Sequence, residues 1–381
     1  MKIPRIYSLL IFFSAAGTVA AQEADTTLTL LFAGDIMGHD MQIAAACNDS
    51  TGTYSYDSVF KYVSPLISSA DIAVGNLEVT LGGEPYKGYP AFSSPDALAA
   101  ACSNVGFDIL STANNHAADR GSRGIIRTLR VLDSLQIRHT GTWADSLARD
   151  TLSPLTVTEK GITLALMSYT YGTNGIVVAP PALVSYIDTI RMGNDIGSAR
   201  EKGADPVVVF MHWGTEYDTL PDRQQVMTAD ALLRNGADMI IGSHPHVLQP
   251  MIMKEDSAGV KKPVVWSMGN LVSNQRTQRR DGGAMIIIEL TRKDGRTYIT
   301  DAGYILTWVY SPLEDGKRRF YILPCSEYET NPGFFATSAD YDKMMVYVRL
   351  ARRLLQNLNK GFSELIFSDG MWIKRPEQQK S

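Results

Sequence analysis

Cysteine is scarce in this 381-residue chain: there are three, Cys47, Cys102 and Cys325, and none has metal-ligand spacing. So sparse and odd a count excludes a disulfide framework, although a single bridge is compatible with it. An excess of one charge sign is lacking too. Lys and Arg number 36 against 40 Asp and Glu, the net charge is −4 and the pI is near 5.9. No basic run marks a nucleic-acid partner, so none is expected. Beyond the N-terminus no apolar run reaches the roughly 20 residues a membrane span takes. Internal repeats and low-complexity linkers are absent, which excludes solenoids and tethered arrays.

What remains is ordinary globular composition, 45% hydrophobic and 20% charged. The length suits one large α/β domain with additions, or two domains. The N-terminus, MKIPRIYSLLIFFSAAGTVAAQE, has basic Lys2 and Arg5, an apolar stretch and then small residues. This is the layout of a secretory signal peptide over residues 1–21, with cleavage after Ala21. An uncleaved N-terminal membrane anchor is the alternative. The expectation is export to the periplasm or cell envelope.

From about residue 27 to 290, strand-like and helix-like segments alternate. TLTLLFAGD (27–35), DIAVGNLE (71–78), DILSTANNH (108–116), ITLALMSYT (162–170), PVVVFMHWG (206–214) and DMIIGSH (238–244) read as strands. Helices are predicted over 57–70, 94–107, 123–137, 188–203 and 222–237 from apolar spacing and end signals. The segment 262–275 reads as part of a closing β section. Residues 338–362 form a strongly amphipathic helix. Continuous apolar strands alternating with helices imply a sheet covered on both faces.

The polar residues fall where the strands end. His116, His212, His244 and His246 follow apolar strands, as do Asp35 and Glu78. In open α/β sheets, ligands bind beyond the carboxyl ends of the strands. These residues can therefore converge on one cleft, and imidazoles with carboxylates suit Zn, Mn or Fe. His244 and His246 flank Pro245, which favours an extended backbone there and so presents both rings the same way.

At this point a resemblance is legible. GDIM (34–37), GNLEVTL (75–81), STANNHAADRG (111–121), HTGT (139–142), FMHWGTEY (210–217), GADMIIGSHPHVLQP (236–250) and WSMGNLV (266–272) occur in the order seen in the CapA-like family. These are capsule-synthesis proteins associated with poly-γ-glutamate, and their domain is similar to the calcineurin-like metallophosphoesterases. The resemblance implies a four-layer α/β/β/α sandwich over residues 27–310, with residues 311–381 as a C-terminal helical extension. It implies a metal-dependent hydrolase-type site holding one or two divalent ions, Mn, Fe or Zn. Carried onto this chain, Asp35 and His246 bind a first ion. Asn115, His212 and His244 bind a second. Glu78 stands in the bridging place, with Asn76 as its rival, and His116 is the general acid. The chain departs from the parent pattern at Met37, where a histidine is usual, and at Glu78, where an aspartate is usual. His39 is the only nearby replacement for the missing imidazole.

Further roles are expected at the rim. Glu216 is read as a second acid/base or a substrate-orienting group, against a plain surface carboxylate. Asn114 is read as a substrate contact or a turn-former. Asn270 is assigned to the substrate side of the site, with orientation of a site histidine as its other role. Arg279, with Arg276 and Arg280, forms a basic patch suited to an anionic polymer such as poly-γ-glutamate. Membrane-bound capsule-synthesis components are the other expected partners. Two functions compete with the hydrolase: a non-catalytic polymer-binding component of a capsule assembly machine, and an envelope phosphatase with no capsule role.

Overall fold

A computed structural model describes residues 25–376; the segment read as a signal peptide lies outside them. Two β-sheets face each other. The first is mixed and ten-stranded, and its path runs Met371–Lys374, Ser363–Ser368, Arg296–Tyr310, Gly282–Lys293, Thr26–Ile36, Ile72–Leu77, Ile109–Ser111, Arg138–Thr140. The second has six strands: Met251–Glu255, Lys261–Val265, Met239–Ser243, Val207–His212, Ile162–Thr170, Leu155–Glu159.

Strand periodicity explains the layers. Successive side chains point to opposite faces, and these strands are apolar on both. Leu28, Leu30 and Phe32 meet Leu164, Leu166, Val208 and Phe210 between the sheets. On the outer face of the first sheet, Leu31 and Ala33 pack with Phe60, Ile67, Leu98 and Cys102. On the outer face of the second, Met167, Val209 and Met211 pack with Met192, Ile196, Ala229 and Leu232. The order is helix, sheet, sheet, helix. A hydrogen bond between Ser111 and Ser168, 2.6 Å Oγ to Oγ, joins the two sheets across the apolar middle.

The predicted helices form as shorter segments. Pro65 begins a new helix, so 57–70 divides into Asp57–Phe60 and Ser64–Ser69. The other four are Ala97–Val105, Gly121–Ser134, Thr189–Glu201 and Arg223–Arg234. The segment 262–275 does not stay in one sheet. Lys261–Val265 belongs to the second, and Asn270–Val272 pairs with Thr26–Ile36 in the first.

The C-terminal segment is more than a helix. Ser338–Leu358 is helical, and Thr337 Oγ1 accepts the Asp340 N–H at its start. Its Met344, Tyr347, Val348 and Leu355 enter the core between the sheets. Tyr321–Pro324 and Ser363–Ser368 then add strands to Arg296–Tyr310. Arg352 holds this together, reaching both Glu329 Oε1 and Glu364 Oε1 at 2.6 Å. A boundary at residue 310 therefore cuts through one sheet. The three thiols are free, Cys102 and Cys325 buried and Cys47 partly so. Among the described residues no helix is long and apolar enough to cross a membrane.

The crossing between sheets needs a residue without a side chain. A Cβ on Gly34 would lie 2.0 Å from the Gly269 carbonyl oxygen, which accepts the Asp35 N–H at 3.1 Å. Gly34→Ala is expected to cost about 1–3 kcal/mol through forced backbone shifts. The readout is a lower urea midpoint at unchanged slope. An unshifted midpoint would show that the strand and loop separate at no cost.

Candidate metal centre

Strand register builds the centre. In the first sheet Asp35 lies level with Asn76 on one side and Asn270 on the other. In the second, His212 lies level with Ser243 and Thr170. Apart from Asn270, which begins its strand, the residues of both rows sit toward the carboxyl ends of parallel strands. The packing of the sheets brings them face to face, with Asp35, Asn76, Glu78 and His212 wholly buried.

Asn76 and His246 organise the acidic side. Asn76 Nδ2 donates to Asp35 Oδ1 at 2.8 Å and to Glu78 Oε2 at 3.3 Å. His246 Nδ1 lies 3.0 Å from Asp35 Oδ2 and 3.0 Å from Asn270 Oδ1. Burial alone would raise the Asp35 carboxyl; the bond and charge of His246, with the Asn76 amide, outweigh it and hold Asp35 below the usual range. Glu78 has less help, only the longer bond from the shared Asn76 amide. Burial and the neighbouring Asp35 push it well above the usual carboxylate range. Its Oε1 is buried without a hydrogen-bond partner. That oxygen is 3.6 Å from His212 Nε2 and 3.6 Å from His246 Nε2.

Two of the imidazoles, His212 and His244, are held toward the neutral form. Burial, reinforced by His244 and His246, drives His212 well below its ordinary value. Burial, reinforced by His246, lowers His244 to about 3. His212 Nε2 is 2.9 Å from Asn115 Oδ1, and its Nδ1 is 3.1 Å from Ser243 Oγ. His244 Nδ1 is buried without a partner. Two ligand groups each lie within 4.8 Å: Glu78 with His244 and His246, and Asp35 with Glu78 and His212. Glu78 belongs to both. The pairing of donors differs from the resemblance, which sets Asp35 with His246 and His212 with His244.

These residues fit a divalent ion. Two ligands about 2.1 Å from a tetrahedral ion lie about 3.4 Å apart, close to the spacing of Glu78 Oε1 from each histidine. The unpartnered oxygen and nitrogen are donors of the right kind, and a dication would supply the counter-charge the paired carboxyls lack.

The histidine pair reaches the centre by a different backbone from that expected. His244 has φ +99° and His246 has φ +57°, so neither is extended. Side chains of this kind rarely adopt that region, and strained backbone of this sort clusters at functional sites. The Pro245 carbonyl accepts the Tyr217 N–H at 2.8 Å, which ties the turn to the loop after His212.

Not every expected residue joins. Asn114 is a turn-former: it is buried, donates to the Leu77 carbonyl at 2.8 Å and accepts the His116 N–H at 3.1 Å. The same donor, Nδ2, also lies 3.4 Å from Asn76 Oδ1, so the amide is turned inward. Asn270 is likewise committed inward, to His246 and, at 2.7 Å, to the Arg280 carbonyl. Glu216 is exposed, outside the buried cluster. Arg279 has φ +74° and lines a groove with Thr219, Leu350 and Leu354 against the C-terminal helix, rather than the centre. Two contributors were not placed in the site from sequence. Asp119 Oδ2 lies 2.8 Å from His116 Nδ1, and the spacing of three between them was the available signal. Tyr171, 48% exposed, sets its ring 4.6 Å from that of His244. It directly follows a strand end, as the histidines do.

The model of the bacterial capsule synthesis protein family, PGA_cap, matches residues 29–275. The chain belongs to this family. Capsule biosynthesis protein CapA of Bacillus anthracis is 30% identical over 288 residues, 72% of this chain and 66% of that protein. The chain thus spans just under two thirds of that relative. PGA biosynthesis protein CapA of Bacillus subtilis (strain 168) is 29% identical over 322 residues, 79% of each. Among solved structures, the NAD nucleotidase of Haemophilus influenzae aligns with 89% of this chain and 57% of that one, at 13% identity and a TM-score of 0.49. Calcineurin-like phosphoesterase YfkN of Bacillus subtilis aligns with 88% of this chain and 99% of that one, at 14% identity and a TM-score of 0.45. The layer order rests on the strand pairing described above.

In this CapA-like chain the Met37 position is apolar. Met37 is buried with the helix-side cluster and does not face the centre. His39 does not replace the missing imidazole. It precedes the helix Asp40–Ala46, with Nδ1 3.1 Å from Gln42 Oε1 and 3.3 Å from the Asn274 nitrogen. Burial lowers it to about 4, against a smaller opposing effect of Gln42. Above pH 6.5 the ring is neutral in both folded and unfolded chains. Below it the unfolded chain takes the proton first, so stability is lost between pH 6.5 and 4. At pH 5 the loss from His39 is about 2 kcal/mol. His39→Gln is expected to remove this share, so urea-derived stability falls by less between pH 7 and 5. Equal slopes would sink the account.

Proposed function

We propose that this member of the capsule-synthesis family is an exported, metal-dependent hydrolase or transferase acting in the cell envelope on an anionic polymer such as poly-γ-glutamate. One observation carries the reading: Glu78 Oε1, buried and unpartnered, lies 3.6 Å from Nε2 of both His212 and His246. A buried polar atom left unpaired is costly, and a cation removes the cost.

Asp35, Glu78, His212, His244 and His246 would hold the metal, with Asn115 beside His212. When bound there, a divalent ion would supply Lewis-acid polarisation of a carbonyl or phosphoryl oxygen and a more acidic water. His116 manages the proton. Asp119 engages its Nδ1, which fixes the ring and leaves proton exchange to Nε2. Phe92 packs edge-on against this ring at 4.6 Å and limits its rotation. Asn76 keeps Asp35 and Glu78 together through one amide group. Amide or phosphoester chemistry is compatible with this set. Membrane-bound assembly components are the partners this role calls for.

A second reading, a component that holds the polymer without cleaving it, has one observation in its favour. Met37 packs away from the centre, which therefore has one imidazole fewer than the parent pattern.

Elemental analysis of the purified protein separates the two. About one or two equivalents of Mn, Fe or Zn are expected, falling by half or more in His244→Ala and in Glu78→Gln. Chelation is expected to lower the melting temperature of the parent but not of the variants. Absence of metal in the parent after reconstitution would overturn the catalytic reading.

A further inference from the structure

A cation stands beside the centre, and among the described residues it enters no ion pair. The Arg280 guanidinium lies over the Tyr217 ring, its carbon 4.1 Å from the ring centroid. Tyr217, in turn, has its ring 6.2 Å from that of His246. The main chain at Arg280 is fixed to the same histidine by a second path. Its carbonyl accepts Asn270 Nδ2 at 2.7 Å, and Asn270 Oδ1 is 3.0 Å from His246 Nδ1. Tyr217 has φ +71° and is 43% exposed, so the aromatic platform sits at the mouth.

The neighbouring cations are used differently. Arginine ion pairs among the described residues involve Arg127, Arg149, Arg200, Arg352 and Arg375, not Arg280. Arg276 lies over Trp308 at 5.5 Å, and Arg279 faces the groove by the C-terminal helix. A guanidinium stacked on one aromatic face keeps the N–H donors along its edge, and that edge matches a carboxylate or phosphate.

We infer that Arg280, presented by Tyr217 and anchored through Asn270 to His246, is the specificity residue that reads an anionic group next to the bond presented to the centre. The inference rests on the proposed function for what happens at that bond, but not for the binding itself. The anion is a carboxylate along a γ-glutamyl chain or a phosphate on a small ester. Both offer two oxygens to the same edge.

Calorimetry on the full chain tests this with matched probes. One pair is a γ-linked glutamate pentamer and the same pentamer with its side carboxyls amidated. The other is glycerol 2-phosphate and glycerol. The parent is expected to bind at least one anionic probe about tenfold or more tighter than its neutral match, the worth of one charge-assisted pair. Arg280→Met is expected to erase the difference, and Arg280→Lys to restore part of it. Tyr217→Leu keeps the charge but not its platform, and is expected to weaken the preference. This variant decides the matter if Arg280→Met does not fold. Discrimination confined to the pentamer assigns a carboxylate, and discrimination confined to the ester a phosphate. No preference in the parent, or the same preference in Arg280→Met and Tyr217→Leu, overturns the inference. Metal content of each variant is measured alongside. Metal-free protein that still discriminates through Arg280 would remove the catalytic reading and leave this one standing.

Discussion

Two carboxyl groups buried side by side set the terms for this molecule. Asp35 and Glu78 leave adjacent strands of one sheet and are wholly enclosed where the second sheet closes over them. Like charges so close, away from water, cannot both ionise without compensation. The chain supplies it unequally. Asp35 receives His246 and the Asn76 amide and is held below the usual carboxylate range; Glu78 receives a share of one amide and is pushed well above it. The centre is therefore poised to take up a cation, and much of the surrounding architecture keeps it so.

The surroundings do this by withholding water and fixing angles. Asn114 and Asn270 look like substrate ligands from their place at strand ends, yet each turns its amide inward. One shapes the turn that presents Asn115 and His116; the other holds His246 from behind. The positive φ values at His244 and His246 belong to the same economy of space. A regular extended segment would carry the chain past the seam between the sheets. Two left-handed residues fold it back so that both rings face the carboxyls, and the Tyr217 N–H bond to Pro245 keeps the turn closed.

The C-terminal residues serve the same frame from a distance. The helix Ser338–Leu358 fills the gap between the sheets with Tyr347 and Leu355, and Tyr347 donates to the Gly283 carbonyl at 2.7 Å. Gly283 lies opposite Gly269 across an isolated bridge, near the point where the chain passes from one sheet to the other. Packing far from the donors thus supports the crossing that puts Asn270 level with Asp35.

The strands, the alternation that makes them two-faced, and the strand-end positions of Asp35, Glu78, Asn115, His116, His212, His244 and His246 are legible in the residues alone. All of that follows from local spacing and from which residue types tolerate burial. The family is legible there too, through motifs in order. Which polar groups face each other is settled by folding. Asn114 and Asn270 differ from Asn115 by where their amides find partners, and Arg279 and Arg280 differ by what they face, a groove beside the C-terminal helix and the Tyr217 ring. The Met37 side chain joins an apolar cluster assembled from several distant segments. Local sequence carries no record of such choices, because the energy of a buried polar group depends on neighbours that only folding brings within hydrogen-bond reach.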